Sequence, residues 1–334
     1  MGRSSPGPWG NRTEPGGHDH ERVGCKTLGF SAMNYWVTYP MTTHPYNPEL
    51  VNKAALIEFC QVAEAAGFAG IGFTDHPAPT DRWLKAGGHD ALDPFTALSF
   101  CAAVTEKMRL IPNIVVLPYR NPFLVAKAAA TLDTLSDGRF TLAVATGYMR
   151  GEYKALGVDF DERNALFDEA IEVIRGVWSE EDFAYEGSTF SARGQTANPK
   201  PSPHPPIWIG GNSRMSRRRV ARYGDGWSPF PAPKVLSNTA KTPALETVDD
   251  LRPMIDELRQ FMEEAGRDPA SIDISFGTGA GGNPGDDSFN PDATLAAGEE
   301  LAALGVTWSG AGVPGDSLAH ALESLERFGK AVIR

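Results

Sequence analysis

Apolar runs and amphipathic stretches alternate along most of this chain. An apolar run rich in β-branched residues spans 110–117, and Asn121-Pro122 leads from it into an alanine-rich helical segment. That segment stops at Ser136-Asp137-Gly138, and a second apolar run over 140–146 follows at once. Strand, helix and strand joined by short turns make one βαβ unit, which requires a parallel sheet. The second run breaks at Gly147-Tyr148. That is a strand's carboxyl end, where α/β sheets gather their ligands.

The same alternation extends in both directions. Residues 25–30 predict a first strand, and 31–46 a loop unusually rich in aromatic groups (Tyr35, Trp36, Tyr39) beside Asn34 and His44. Loops on a rigid scaffold often carry binding groups. Asn47-Pro48 predicts an N-cap and N1 proline, with Leu56, Phe59, Cys60 and Ala63 on one helical face. A strand over 70–73 runs out into Thr74-Asp75-His76-Pro77, and Asp93-Pro94 opens a helix over 95–104. Downstream come a helix over 163–178, a small excursion around Tyr185-Glu186-Gly187, and a strand over 207–209 stopped by Gly210-Gly211-Asn212-Ser213. Ser213 caps a helix running to Tyr223, and a short strand covers 226–228. An insertion or lid loop over 230–246 precedes a helix over 248–265, a strand over 272–276, a helix near 295–304, a strand over 306–309 and a helix over 317–328. Eight candidate strands, six with a clear following helix, predict a single (β/α)8 TIM barrel with loop insertions, which typically needs about 250 residues. A doubly wound open sheet is the structural alternative. Residues 1–22 are rich in Gly, Pro and Ser without periodicity and predict a disordered N-terminal tail, leaving 23–334 for the barrel.

Composition narrows the function classes. The net charge of −11 argues against a general affinity for nucleic acid or anionic membrane. No apolar run approaches the roughly 20 residues of a membrane helix, and the N-terminus lacks an apolar signal region. Cys25, Cys60 and Cys101 are far apart in apolar contexts, which fits buried thiols in a reducing cytoplasm. His18 and His20 have no third ligand nearby, so no metal site is expected.

Several motifs compete for the chemistry. Gly277-Thr278-Gly279-Ala280-Gly281-Gly282 matches a dinucleotide-binding fingerprint, but that pattern demands a helix beginning inside it, and Asn283-Pro284-Gly285 follows instead. A flexible loop is the reading. Gly210-Gly211-Asn212-Ser213 is the better phosphate candidate, because it lies between a strand end and a helix whose N–H groups and dipole favour anions. Arg214, Arg217, Arg218, Arg219 and Arg222 crowd that helix and read equally as an anion-attracting group or a solvated basic face. Asp75-His76 reads as a structural pair or as an acid–base group, since an imidazole titrates near neutral pH. No Walker A loop, G-x-S-x-G elbow, H-E-x-x-H or paired C-x-x-C is present.

Five blocks in order carry a resemblance: Thr74-Asp75-His76-Pro77; Leu117-Pro118-Tyr119-Arg120-Asn121-Pro122; Thr131-Leu132-Asp133 with Leu135-Ser136-Asp137-Gly138-Arg139; Pro205-Pro206-Ile207-Trp208-Ile209-Gly210-Gly211; and Gly224-Asp225-Gly226-Trp227. Together they resemble the bacterial luciferase-like superfamily of flavin- and deazaflavin-dependent oxidoreductases, over roughly 25–227. The resemblance implies a TIM barrel with FMN or coenzyme F420 at the carboxyl ends of its strands. It also implies a bulged third strand with a non-proline cis peptide near Asn113-Ile114, pressed against the cofactor ring. Gly147 would serve the ring side, with Tyr148 beside it, and the Gly210–Ser213 turn the phosphate side. His76, with Asp75, resembles the proton-handling histidine of the deazaflavin-dependent sugar-phosphate dehydrogenases. Those enzymes carry a Glu where this chain has Tyr148, which argues against that activity, and Glu152 is not assigned the missing role. Trp36, Tyr39, Trp83 and Tyr148 are expected in the pocket wall. The expectation is a cytoplasmic oxidoreductase acting on a small molecule, with F420 favoured by the arginine-rich helix. An FMN-dependent monooxygenase and a non-catalytic flavin-binding barrel are the alternatives, and a homodimer is left open.

Overall fold

The computed structural model describes residues 33–333, so the expected tail over 1–22 and the expected strand over 25–30 lie outside the described residues. The first place in the sheet is taken by Asn34–Thr38 (β1), a stretch the sequence reading treats as an aromatic loop. Tyr35, Trp36 and Val37 are strand formers that pack on a pleated surface, and it is this propensity, not binding, that their aromatic content reports. β1 pairs in parallel with Gly70–Phe73 (β2), and β2 pairs with Arg109–Pro112 (β3). The chain then passes through a cis peptide at Asn113–Ile114 and continues as Val115–Val116 (β4). β4 changes partner: it pairs with Leu142–Ala145 (β5).

The short antiparallel strands Phe183–Glu186 (β6) and Ser191–Gln195 (β7) form the small excursion expected near Tyr185. Ile207–Gly210 (β8), Gly226–Ser228 (β9) and Asp273–Ile274 (β10) extend the sheet beyond β5 in that order. Trp308–Ala311 (β11) lies beside β1. Single parallel bridges join the two sheets at both edges, Leu110 with Phe140 and Ser275 with Trp308. Backbone bonds such as Thr141 N–H to Leu110 O (3.1 Å) and Phe276 N–H to Trp308 O (2.9 Å) close the ring. The eight staves follow the expected barrel plan, with the first one shifted along the chain.

Helices cover the outside: Lys53–Ala65 (α1), Asp81–Lys85 (α2), Pro94–Ala102 (α3), Pro122–Leu135 (α4), Arg150–Ala155 (α5), Arg163–Ser179 (α6), Arg214–Tyr223 (α7), Lys234–Ala240 (α8), Val248–Glu264 (α9), Pro291–Ala303 (α10) and Leu318–Phe328 (α11). Asp93, Asn121 and Asn290 each cap a helix that opens with proline, as that punctuation predicts. α1 departs from the expectation. Its cap is Asn52, while Asn47 closes a local turn by accepting from Glu49 N–H (3.0 Å). The short helices α2 and α5 were not visible as periodicity, because five or six residues hold less than two turns. The glycine-rich loop after β10 contains no helix until Pro291, consistent with a loop in place of a dinucleotide fingerprint.

One large apolar cluster fills the space between strands and helices. A second cluster, Trp36, Ile111, Ala143, Trp208 and Trp308, comes only from strands and forms the ring's interior. Cys60 and Cys101 are buried free thiols with sulfurs 3.4 Å apart. Among the described residues no helix is long and apolar enough to cross a membrane.

Glu64 on α1 pins the turn into β3. Its carboxylate accepts from the backbone N–H groups of Glu106 (3.0 Å), Lys107 (2.6 Å) and Met108 (3.0 Å). Burial opposes its charge, but these donors outweigh burial and hold the carboxyl below its ordinary value. A depressed folded-state pKa contributes stability above the unfolded value, and that stability is lost as pH falls through the folded one. Glu64→Gln should therefore lower the unfolding free energy by about 1–2 kcal/mol at pH 7. In urea titrations the difference from the parent should shrink steadily below about pH 4.5.

Candidate functional site

The carboxyl ends of β2, β4 and β5 bring several predicted residues together. Asp75 and His76 leave β2 in opposite chemical directions. Asp75 is buried, takes both terminal nitrogens of Arg120 (2.6 and 2.8 Å) and accepts from Val116 N–H (2.8 Å). It therefore ties the end of β2 to β4. Burial alone would lower the Arg120 pKa, but the bonds to Asp75 and the charge of Asp93 raise it overall. No contact joins Asp75 to His76 among the bonds described, so the expected catalytic pair is divided: Asp75 holds the scaffold and His76 faces elsewhere.

His76 meets Glu152. Its Nδ1 lies 3.3 Å from Glu152 Oε2, and the Glu152 side chain has no exposure to solvent. Glu152 also accepts from Tyr119 O–H (3.0 Å) and Ala78 N–H (3.2 Å). Burial and the neighbouring carboxylate push the Tyr119 hydroxyl far above its ordinary pKa. Tyr148 is raised by the same two causes in the same order. On the other side the His76 ring lies 4.6 Å from that of Trp83 and 5.1 Å from that of His89. His89 Nδ1 donates to Asp90 O (3.0 Å), and burial together with His76 lowers its pKa against the opposing pull of Asp90 and Glu152. Tyr119, His89 and Glu152 are the side chains of this group to which the sequence reading gave no role. Glu152 becomes readable only once α5 is known to return over β2.

The break in the third stave shapes the centre of the mouth. Gly147 has φ +65°, and a side chain there would run into Val116. Gly210 lies against the tip of the Ile114 side chain, which a Cβ there would have to push aside. The residues around the cis peptide thus press on two of the three glycines that were expected to approach a cofactor, Gly147 and Gly210, while Gly211 faces Ser216. Asn113 is half-buried, with Nδ2 3.5 Å from Thr38 Oγ1. Of the expected wall residues, Trp83 lies beside His76, and Tyr148 is partly buried near Glu152. Trp36 is inside the ring with its indole N–H on Ser275 Oγ (3.2 Å), and Tyr39 is buried among α1 residues with its hydroxyl on Leu50 O (2.5 Å). An open cleft of about 560 Å³ lies between Thr42–Pro45 and Leu84–Gly88, outside Trp83.

The turn after β8 departs from its expected role in detail. Gly211 uses its N–H on Ser228 O (3.2 Å) and its C=O on the Trp227 indole (3.0 Å). Asn212 is fully buried, donating to Phe230 O (2.9 Å) and accepting from Phe230 N–H (3.0 Å), so it clamps the loop after β9. Ser213 caps α7 by accepting from Ser216 N–H (3.1 Å). The arginines of α7 turn to neighbouring helices: Arg214 and Arg217 to Glu257, Arg219 to Asp168, Arg222 to Glu172. Arg218 stacks on Phe261 at 5.2 Å. Three carboxylates thus meet four of these five cations, with Glu257 shared between Arg214 and Arg217, so part of the positive charge that favoured an acidic cofactor tail is offset and part remains. Among the described residues no cluster of three or more metal-ligating side chains occurs.

A family model for luciferase-like monooxygenases matches residues 33–280. The chain belongs to that luciferase-like family. Among its relatives, an FMNH(2)-dependent dimethylsulfone monooxygenase of Pseudomonas putida is 32% identical over 174 residues, 50% of this chain and 46% of that protein. An F420-dependent glucose-6-phosphate dehydrogenase of Segniliparus rotundus is 31% identical over 233 residues, 67% of this chain and 64% of that protein. The chain thus spans about half the length of the first and under two thirds of the second. The fold is shared with the monooxygenase RslO1 from Streptomyces bottropensis, with a TM-score of 0.72 and 20% identity over 90% of this chain and 99% of that one.

Within this luciferase-like barrel, Asp75 and Arg120 form the buried pair on which the β2–β4 junction rests. Asp75→Asn would leave Arg120 in a half-buried position without its main counter-charge. Unfolding in urea should show a loss of about 2–4 kcal/mol.

Proposed function

We propose that the protein is a luciferase-like oxidoreductase that moves hydride between a small organic substrate and an isoalloxazine-type cofactor, coenzyme F420 or FMN, with His76 handling the accompanying proton. The observation that carries this reading is the His76–Glu152 contact at the carboxyl end of the barrel, in the same mouth as the Gly147 wall. An imidazole held by a fully buried carboxylate is suited to taking or giving a proton near neutral pH.

The ring side fits such a cofactor. Ile114, Val116 and the side-chain-free edge at Gly147 would form an apolar seat for a planar ring. Tyr148 and Trp83 would bound the substrate side and limit the access of water. The phosphate side is smaller than expected. With Gly211 and Asn212 engaged, an anion would meet the opening amides of α7, Arg214 and Met215, ahead of the capped Ser216. F420 supplies hydride chemistry without oxygen, whereas FMN also supports oxygen chemistry. His76 would exchange a proton with the substrate, and Glu152 would face the charge that this creates.

Titration of the purified protein with FMN and with F420, following each chromophore, tests the reading. One of them should bind with a Kd of about 10 µM or tighter, roughly −7 kcal/mol. Binding of neither overturns the proposal. His76→Ala should leave cofactor affinity within about threefold and reduce turnover by ~10²–10⁴-fold. Unchanged turnover would remove His76 from the chemistry, and tight binding without turnover with any donor or acceptor would favour a barrel that only sequesters its cofactor.

A further inference from the structure

We infer that Glu152 is the positioning residue that fixes the tautomer of His76, placing its proton on Nδ1 and leaving Nε2 as the acid–base atom. This rests on the proposed proton-handling role of His76 and adds a residue to it. The position expected to carry an acidic group, directly after the strand, holds Tyr148; the carboxylate comes instead from the first turn of α5.

Three polar groups converge on a side chain with no solvent exposure: Tyr119 O–H, Ala78 N–H and the His76 ring. The Ala78 N–H can only donate, and an ionised carboxylate can only accept. With Glu152 ionised, the neutral His76 ring presents Nδ1–H to Oε2, which makes Nε2 the lone-pair nitrogen; a proton on Glu152 would give the opposite tautomer, and the test below reads the difference. The other groups around the ring do not compete for Nδ1. Trp83 and His89 meet it through ring contacts, and His89 spends its own Nδ1–H on Asp90 O. Asp75 and Arg120 are occupied with each other, and Asp93 adds to that pair.

Glutamine at 152 reverses the logic without changing the shape. The fixed Ala78 donor demands the amide oxygen at the Oε1 position, which turns the NH₂ toward His76 and Tyr119. Tyr119 can rotate its hydroxyl and accept. His76 can accept at Nδ1 only by moving its proton to Nε2, and the acid–base atom then has no lone pair to offer.

The test is long-range ¹⁵N–¹H NMR on the full chain labelled at histidine, at about pH 9, well above the ordinary imidazole pKa of ~6.5. His76→Gln identifies the signals of His76. The parent should show the Nδ1–H form, Glu152→Gln the Nε2–H form, and Tyr119→Phe, which keeps the carboxylate, the Nδ1–H form again. A residue that merely packs the loop would not invert a tautomer. An Nε2–H form in the parent overturns the inference even if Glu152→Gln does not fold, as does an unchanged Nδ1–H form in Glu152→Gln. Because the spectra are taken without cofactor, failure of FMN and F420 to bind would sink the proposed function separately. With whichever cofactor binds the parent, Glu152→Gln should retain affinity within about threefold.

Discussion

The third stave cannot be one continuous strand, and much of the mouth follows from that. β3 bonds to β2 and β4 bonds to β5, with the cis peptide at Asn113–Ile114 between them. The change of partner sends Ile114 toward β8 and Val116 toward the end of β5. Each finds a neighbour without a side chain, Gly210 and Gly147 respectively. At Gly147, where φ is positive and the Val116 methyls are close, glycine is a packing requirement before any cofactor is considered; at Gly210 a Cβ would need the tip of Ile114 to move.

Buried charge is arranged around the same break. Asp75 holds Arg120 and the Val116 N–H at once, so the ion pair also fixes where β4 begins. One partner in water would make such a pair weak; here burial makes each partner depend on the other. Glu152 does the equivalent beside it, meeting the His76 ring and the Ala78 N–H from the loop after β2 and the Tyr119 hydroxyl from the turn after β4. The two carboxylates divide the labour: one sets the backbone and one meets the His76 ring.

Much of this was readable before any coordinates. Seven of the eight staves lie at or beside the stretches marked by apolar runs, because a strand buried on both faces has a continuous apolar signature. The β1 stretch was missed since its aromatic residues look equally like a binding loop until the ring places Trp36 among Trp208, Trp308 and Ile111. The caps at Asn121 and Ser213 were legible because a cap is a local interaction. Glu152 was not, since its partners His76 and Tyr119 are 76 and 33 residues away and no local pattern records a long-range return. The Arg214–Arg222 helix misled for the opposite reason: its composition is visible and its partners are not. Glu257 is 40 residues beyond Arg217, and Asp168 is 51 residues before Arg219.

That last point bears on how the barrel can hold an anion. Arginines at 2.5–3.0 Å from carboxylates on α6 and α9 form near-neutral pairs whose field falls off quickly. Glu257 serves both Arg214 and Arg217, and Arg218 lies over Phe261, so cationic charge remains beside the start of α7 in addition to the helix's own charge of about one half. On the proposed reading, the apolar seat around Ile114 and Val116 would hold a flat ring, and burial of apolar area has no preference for the length of a charged tail. Discrimination between cofactors would then fall to the charge left at the start of α7, at the far end of the contact that Ile114 makes with Gly210.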